Sequence, residues 1–177
     1  MATLKLRAIK PAPFNNKAMT DTLRKAAKDW ADWFKTEHVE PVTDGWRGER
    51  PVWEVKVYWA NQYQLGISIL PKDPESEGAK KFMWIDQGTR AHPIRPKRPG
   101  GVLAFPSMYQ AGSKPGNLYT NTAVSSGPTV FAKEVQHPGT EPRKWIEGLT
   151  EIGQDTFEEL MSEAMFDAAE ASGHAYP

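Results

Sequence analysis

The chain has 177 residues, with 22 Lys+Arg set against 22 Asp+Glu and no cysteine. That length suits one domain with a sizeable core, and zero net charge gives no general pull toward nucleic acid or an anionic membrane. Without cysteine there is neither a disulfide nor a thiolate metal site, which fits a cytoplasmic site of synthesis.

The N-terminal stretch Met1–Arg7 lacks the apolar core of a signal peptide, and residues 1–14 read as an arm. No apolar run approaches the roughly 20 residues that cross a bilayer, so no membrane partner is expected. A helix is predicted from Asn15 or Asn16. Met19, Leu23, Ala26, Trp30, Trp33 and Phe34 recur at spacings of three and four, which places them on one face. Val39 to Arg50 holds Pro41, Gly45 and Gly48 and reads as a loop. Trp53 to Trp59 alternates apolar with mostly polar residues. Tyr63, Leu65, Ile67 and Ile69 repeat the alternation after a short turn, so the two form an antiparallel hairpin. Pro71 to Lys81 is polar and turn-rich, and Lys81 to Gln87 is predicted as a third strand ending at Gly88.

Pro71 to Pro142 holds ten of the 15 prolines and eight of the 14 glycines, which argues against long helices there. Val102–Phe105 and Thr129–Val135 are apolar enough for strands. Residues 107–127 form a long loop whose stretch Gln110–Asn121 is a candidate contact surface. The last helix is predicted from about Glu141, with Thr140 as N-cap and Pro142 at the first helical position. Its apolar face moves: Trp145, Leu149, Ile152, Thr156 and Leu160 make one stripe, and Phe157, Met161, Ala164 and Ala168 make another. Glu163, Asp167 and Glu170 fall in line with the first stripe. The first half is therefore expected on the sheet, while the extension 161–177 packs elsewhere, kinks or frays. The chain reads as a single domain over 1–177. The fold class is α+β, an antiparallel β-sheet packed with an N-terminal helix and a long C-terminal helix, with long loops.

Charge is divided between two poles. Arg90, Arg95, Lys97 and Arg98 cluster beside His92, and no Lys or Arg follows Lys144. Such poles meet head-to-tail between neighbouring subunits, or remain solvated surfaces. The candidate subunit contacts are thus Arg90, Arg95, Lys97 and Arg98 on one side and Glu163, Asp167 and Glu170 on the other. Lys97 and its neighbours also offer non-specific contact to DNA, although prolines stand where a single-strand binder places aromatics.

Catalytic patterns are sparse. There is no His-Glu-x-x-His, no EF-hand loop, no nucleophile elbow and no Walker-type phosphate loop. Asp86, His92 and His137 remain as the set a small metal-dependent hydrolase would use. The competing reading makes Asp86 a turn carboxylate that accepts backbone N–H groups and makes both histidines turn residues before proline. No cofactor is expected.

Two segments stand out: Trp84-Ile85-Asp86-Gln87-Gly88-Thr89-Arg90-Ala91-His92-Pro93-Ile94-Arg95-Pro96-Lys97, and Phe131 to Arg143 with its His137-Pro138-Gly139-Thr140 turn. In order and content, with Val102-Leu103-Ala104-Phe105-Pro106 between them, they resemble the tail-completion (head–tail joining, neck) proteins of long-tailed bacteriophages. The likeness is dense over Phe82–Phe105 and Phe131–Trp145. The segment Pro106–Pro128 and the acidic last helix are longer than the family pattern. The resemblance implies a non-catalytic virion protein of the neck. It would form a homo-oligomeric ring between the head connector or adaptor proteins and the tail terminator or tail tube proteins. A tail terminator or minor tail protein is the neighbouring alternative. Gly88, Thr89, His92, Pro93, His137, Pro138 and Gly139 would then be structural turn residues.

Overall fold

The computed structural model describes residues 3–9, 17–62, 64–119 and 123–173. Asn15, Asn16, Tyr63, Asn121, His174 and the ending Ala175-Tyr176-Pro177 lie outside the described residues.

Strand β1 (Leu4–Ile9), β2 (Trp53–Asn61) and β3 (Gln64–Pro71) form an antiparallel sheet in the order β1-β3-β2. The hairpin β2–β3 has the predicted alternation. Val55, Val57 and Trp59 stand opposite Ile69, Ile67 and Leu65. Residues 1–14 are not simply an arm, because β1 completes the sheet and pairs Leu4 with Ile69 and Leu6 with Ile67. Both leucines are buried in the common core. Leu4 and Leu6 alternate with Lys5 and Arg7, the same period-two signal that marked the hairpin.

Helix α1 (Lys17–Phe34) buries Met19, Leu23, Ala27, Trp30, Ala31 and Phe34. Of the predicted face, Ala26 lies at its edge and Trp33 stands in solvent. The chain continues as a π turn (Lys35–Val39) and a 3-10 turn (Glu40–Thr43). The expected loop thus starts only after Thr43, and Val39 and Val42 belong to the core.

The third predicted strand is instead helix α2 (Glu77–Gln87). The Ser76 hydroxyl accepts the Ala79 N–H at 3.2 Å as a side-chain N-cap. Gly78, Ala79, Phe82 and Asp86 are buried at helical spacing. The helix stops at Gly88, whose φ of +76° favours glycine.

Helix α3 (Trp145–Ala171) is continuous and runs antiparallel to α1. Phe34 lies against Gly153, and the Trp30 ring centroid is 5.0 Å from that of Phe157. The buried line runs through Trp145, Leu149, Gly153, Phe157, Met161, Ala164 and Ala168. Each step of four advances about 40° around the helix, so the apolar face drifts as the two stripes implied. The reason is a change of partner. The start packs on β1 and on Phe82 of α2, and the rest follows α1. Of the options for the extension 161–177, packing elsewhere holds through Ala171: the segment stays helical and follows α1 rather than the sheet, and Glu163, Asp167 and Glu170 stay exposed.

The remaining strands make two small ribbons. β4 (His92–Ile94) pairs with β7 (Val135–His137), and β5 (Leu103–Gln110) pairs with β6 (Val124–Ala132). The predicted loop over 107–127 is thus shorter, because Ser107–Gln110 and Val124–Gly127 are strand. The whole is α+β, with antiparallel sheets, an N-terminal helix and a long C-terminal helix.

Candidate functional site

The two segments that stand out in the sequence meet in space. Thr89 and Thr140 form an antiparallel bridge, with Thr89 N–H to Thr140 O at 2.9 Å and Thr140 N–H to Thr89 O at 3.1 Å. The Thr89 hydroxyl also accepts the Thr140 N–H at 3.0 Å. Three residues further on, the register continues with His92 opposite His137, Pro93 opposite Gln136 and Ile94 opposite Val135. Gly88 and Gly139 both have positive φ, +76° and +97°. A methyl group on Gly139 would overlap the Thr89 carbonyl, and one on Gly88 would reach the Thr140 carbonyl. Each glycine is needed for its backbone angle and for the close approach of the opposite turn. Pro138 is exposed and withholds no ladder donor, and Pro93 lies on an exposed two-stranded ribbon where a missing N–H is tolerated.

The two imidazoles sit side by side, centroids 5.1 Å apart, in opposite roles. His92 Nδ1 lies 2.8 Å from the Arg90 carbonyl, so it carries the proton and donates. His137 Nδ1 accepts the Gly139 N–H at 3.0 Å, so it is bare. Both rings therefore brace main chain.

Asp86 joins this ribbon to α3. It is buried, and its Oδ1 accepts the Ile146 N–H at 3.0 Å from 60 residues away. Its main-chain oxygen accepts the N–H groups of Arg143 and Lys144, both at 3.1 Å. One residue in the last turn of α2 thus caps α3. Burial pushes its carboxyl above the usual range, and the N–H groups of Ile146 and Trp145 pull partly the other way. The sequence expectation of Thr140 as N-cap and Pro142 at the first helical position is corrected here. Thr140 is consumed by the bridge to Thr89, and α3 opens only at Trp145, after Lys144 in a left-handed conformation with φ of +55°.

The loop between β5 and β6 folds back onto the same region. Trp145 Nε1 donates to the Asn117 carbonyl at 2.9 Å, Arg143 Nε to Ser113 Oγ at 3.4 Å, and Leu118 packs on the core. Ser113, Asn117 and Leu118 of the Gln110–Asn121 stretch, the candidate contact surface, are thereby held by their own chain, while Ala111, Lys114, Pro115, Gly116 and Tyr119 stay exposed. Between the ribbon and the body lies a cavity of about 290 Å³, lined by Trp46, Lys81, Ile85, Tyr109, Ser113 and Ser125 among others. Lys81 Nζ stands 4.3 Å over the Trp46 ring, and burial lowers its pKa. No His, Asp or Glu is among the described residues lining this cavity.

The charged candidates separate. Arg95 pairs with Glu134 at 2.7 Å. Arg90, Lys97 and Arg98 are exposed and form no ion pair among the described residues. The members of the hydrolase set, Asp86, His92 and His137, are each engaged with main chain. Among the described residues no three His, Asp or Glu side chains converge as a metal site, and no helix is long and apolar enough to cross a membrane. Comparison with known proteins finds no matching family model, no similar curated protein and no similar solved structure.

Proposed function

We infer that the chain is a structural subunit of a tailed-bacteriophage neck. It acts as a tail-completion or head–tail joining component that assembles with copies of itself as a ring between head connector and tail. The resemblance of the two turn segments supports the virion role. The observation that supports assembly is the β5–β6 ribbon. Its 8- and 9-residue strands contain no Asp, Glu, Lys or Arg, and they expose Met108, Tyr109, Val130 and Phe131. A two-stranded ribbon is marginally stable alone. Depletion of charge with retention of aromatics and Met marks the core of protein–protein contacts.

On this reading the ribbon is the assembly arm, and the Thr89–Thr140 bridge and Asp86 cap set its angle to the body. A tail terminator or minor tail protein would need the same kind of arm, so position in the virion is a separate measurement. Electron microscopy of purified virions carrying a labelled copy is expected to place the label at the neck. Label along the tail tube would favour the alternatives, and particles without it would overturn the virion role.

A further inference from the structure

We propose that the proline-rich basic loop Arg95–Val102 of one copy seats in the groove between α1 and α3 of the next copy. This rests on the ring reading above and names the contact that would close it.

The groove has a volume of about 410 Å³. Its floor is apolar, built by Trp30, Trp33 and Leu160, and its rim is acidic, built by Asp29, Glu159 and Glu163. Trp33 is 46% exposed, a large aromatic surface in solvent. None of the three rim carboxylates forms an ion pair among the described residues. The groove lies on a helix with eight acidic residues and no basic one over 145–171.

The loop is the complement. Residues 87–133 hold six basic residues and no acidic one. Within the loop Lys97 and Arg98 are exposed and unpaired among the described residues, and they are flanked by exposed Ile94 and Val102. Apolar ends around two cations match an apolar floor within an acidic rim. Pro96 and Pro99 restrict the loop before binding, which lowers the entropy lost on docking.

The anchor of the strand that leads to the loop and the groove lie at different points along α3. The strand leading into the loop is bound at the start of α3, through Thr89–Thr140 and Asp86–Ile146. Glu159 and Glu163 lie roughly 20–27 Å further along the helix at 1.5 Å per residue. A pair of unlike surfaces on one molecule makes a heterologous contact, the kind that generates rings.

The absence of cysteine allows a direct test on the full-length protein. Arg98→Cys combined with Glu163→Cys, oxidised at high concentration, is expected to give disulfide-linked ladders. Control pairs placed elsewhere on α3 give none. Lys97→Glu with Arg98→Glu, and separately Glu159→Lys with Glu163→Lys, are expected to raise the apparent dissociation constant at least tenfold by sedimentation velocity. Mixing the two reversed proteins restores assembly. The thermal melts of both stay at the wild-type value, since all four positions are exposed. If both reversed proteins assemble as wild type does and no ladder forms, the groove is not the interface and the ring reading stands. If wild type is monomeric at every concentration and no ladder forms, both fail. Loss of DNA affinity in Lys97→Glu/Arg98→Glu with assembly unchanged would assign the loop to nucleic acid and overturn the proposal.

Discussion

Thr89 and Thr140, 51 residues apart in the chain, exchange both of their main-chain hydrogen bonds and so fasten the end of α2 to the segment that launches α3. The bridge works only because each threonine follows a glycine that lets the other turn approach. Gly139 is the tighter of the two, with φ of +97° and the Thr89 carbonyl where its Cβ would be. Gly139→Ala is therefore expected to cost at least about 2 kcal/mol, combining backbone strain with a main-chain clash. Urea melts check this, and a midpoint within error of wild type would mean that the turn relaxes freely.

Asp86 offers a sharper test, because its side chain can be changed in two ways. Asp86→Ala leaves the Ile146 N–H at a buried helix start without its acceptor, a loss of about 1–3 kcal/mol. Asp86→Asn keeps an oxygen acceptor in place and is expected to lose much less. If the two variants melt together, the hydrogen bond is not what holds the junction.

The same carboxyl gives a pH dependence of known sign. Burial raises its folded pKa above the 3.8 of the free group. Between those two values the folded chain holds a proton that the unfolded chain has released. Its contribution is thus fully present below 3.8 and is lost as pH rises through the folded value. The stability of wild type minus that of Asp86→Asn, measured by urea melts at several pH values, is expected to be largest in acid and to fall toward neutrality. Taking the difference cancels the other carboxylates. A difference that grows with pH would contradict the sign.

How much of this was legible in the sequence depends on the range of each interaction. Helix α1 and the β2–β3 hairpin rest on local periodicity, and Leu23–Trp30 or Val55–Val57 reveal it directly. Helix α2 carried its own signal in the Ser76 cap and the Ala79, Phe82, Asp86 spacing. Reading from Lys81 onward hid both behind an aromatic-rich run that passes for a strand. The false start of α3 has a different cause. Thr140 and Pro142 have the chemistry of a cap and a first turn, but a partner 51 residues away takes Thr140 instead. The same non-local pairing brings His92 to His137 and Asp86 to Ile146. Nothing within either segment sets its register against the other, so the site itself could be named in pieces but not assembled.

The β5–β6 ribbon yields the prediction that bears most on function. Met108, Tyr109 and Phe131 are 64%, 67% and 66% exposed, so replacing all three with serine removes little packing from the monomer. Surface changes of this kind move stability by about 0.5 kcal/mol or less each, and the thermal melt is expected to stay close to wild type. Exposed apolar anchors at the centre of an interface commonly carry more than about 1–2 kcal/mol each in association. Serine at all three is thus expected to weaken assembly by at least a hundredfold in light scattering while the fold persists. Deleting the strands outright is a poorer experiment, because the loop beyond them supplies the Asn117 carbonyl to Trp145 and packs Leu118 on the core. A triple-serine protein that assembles at wild-type concentrations would remove the ribbon from the interface and leave its charge-free strands without a function.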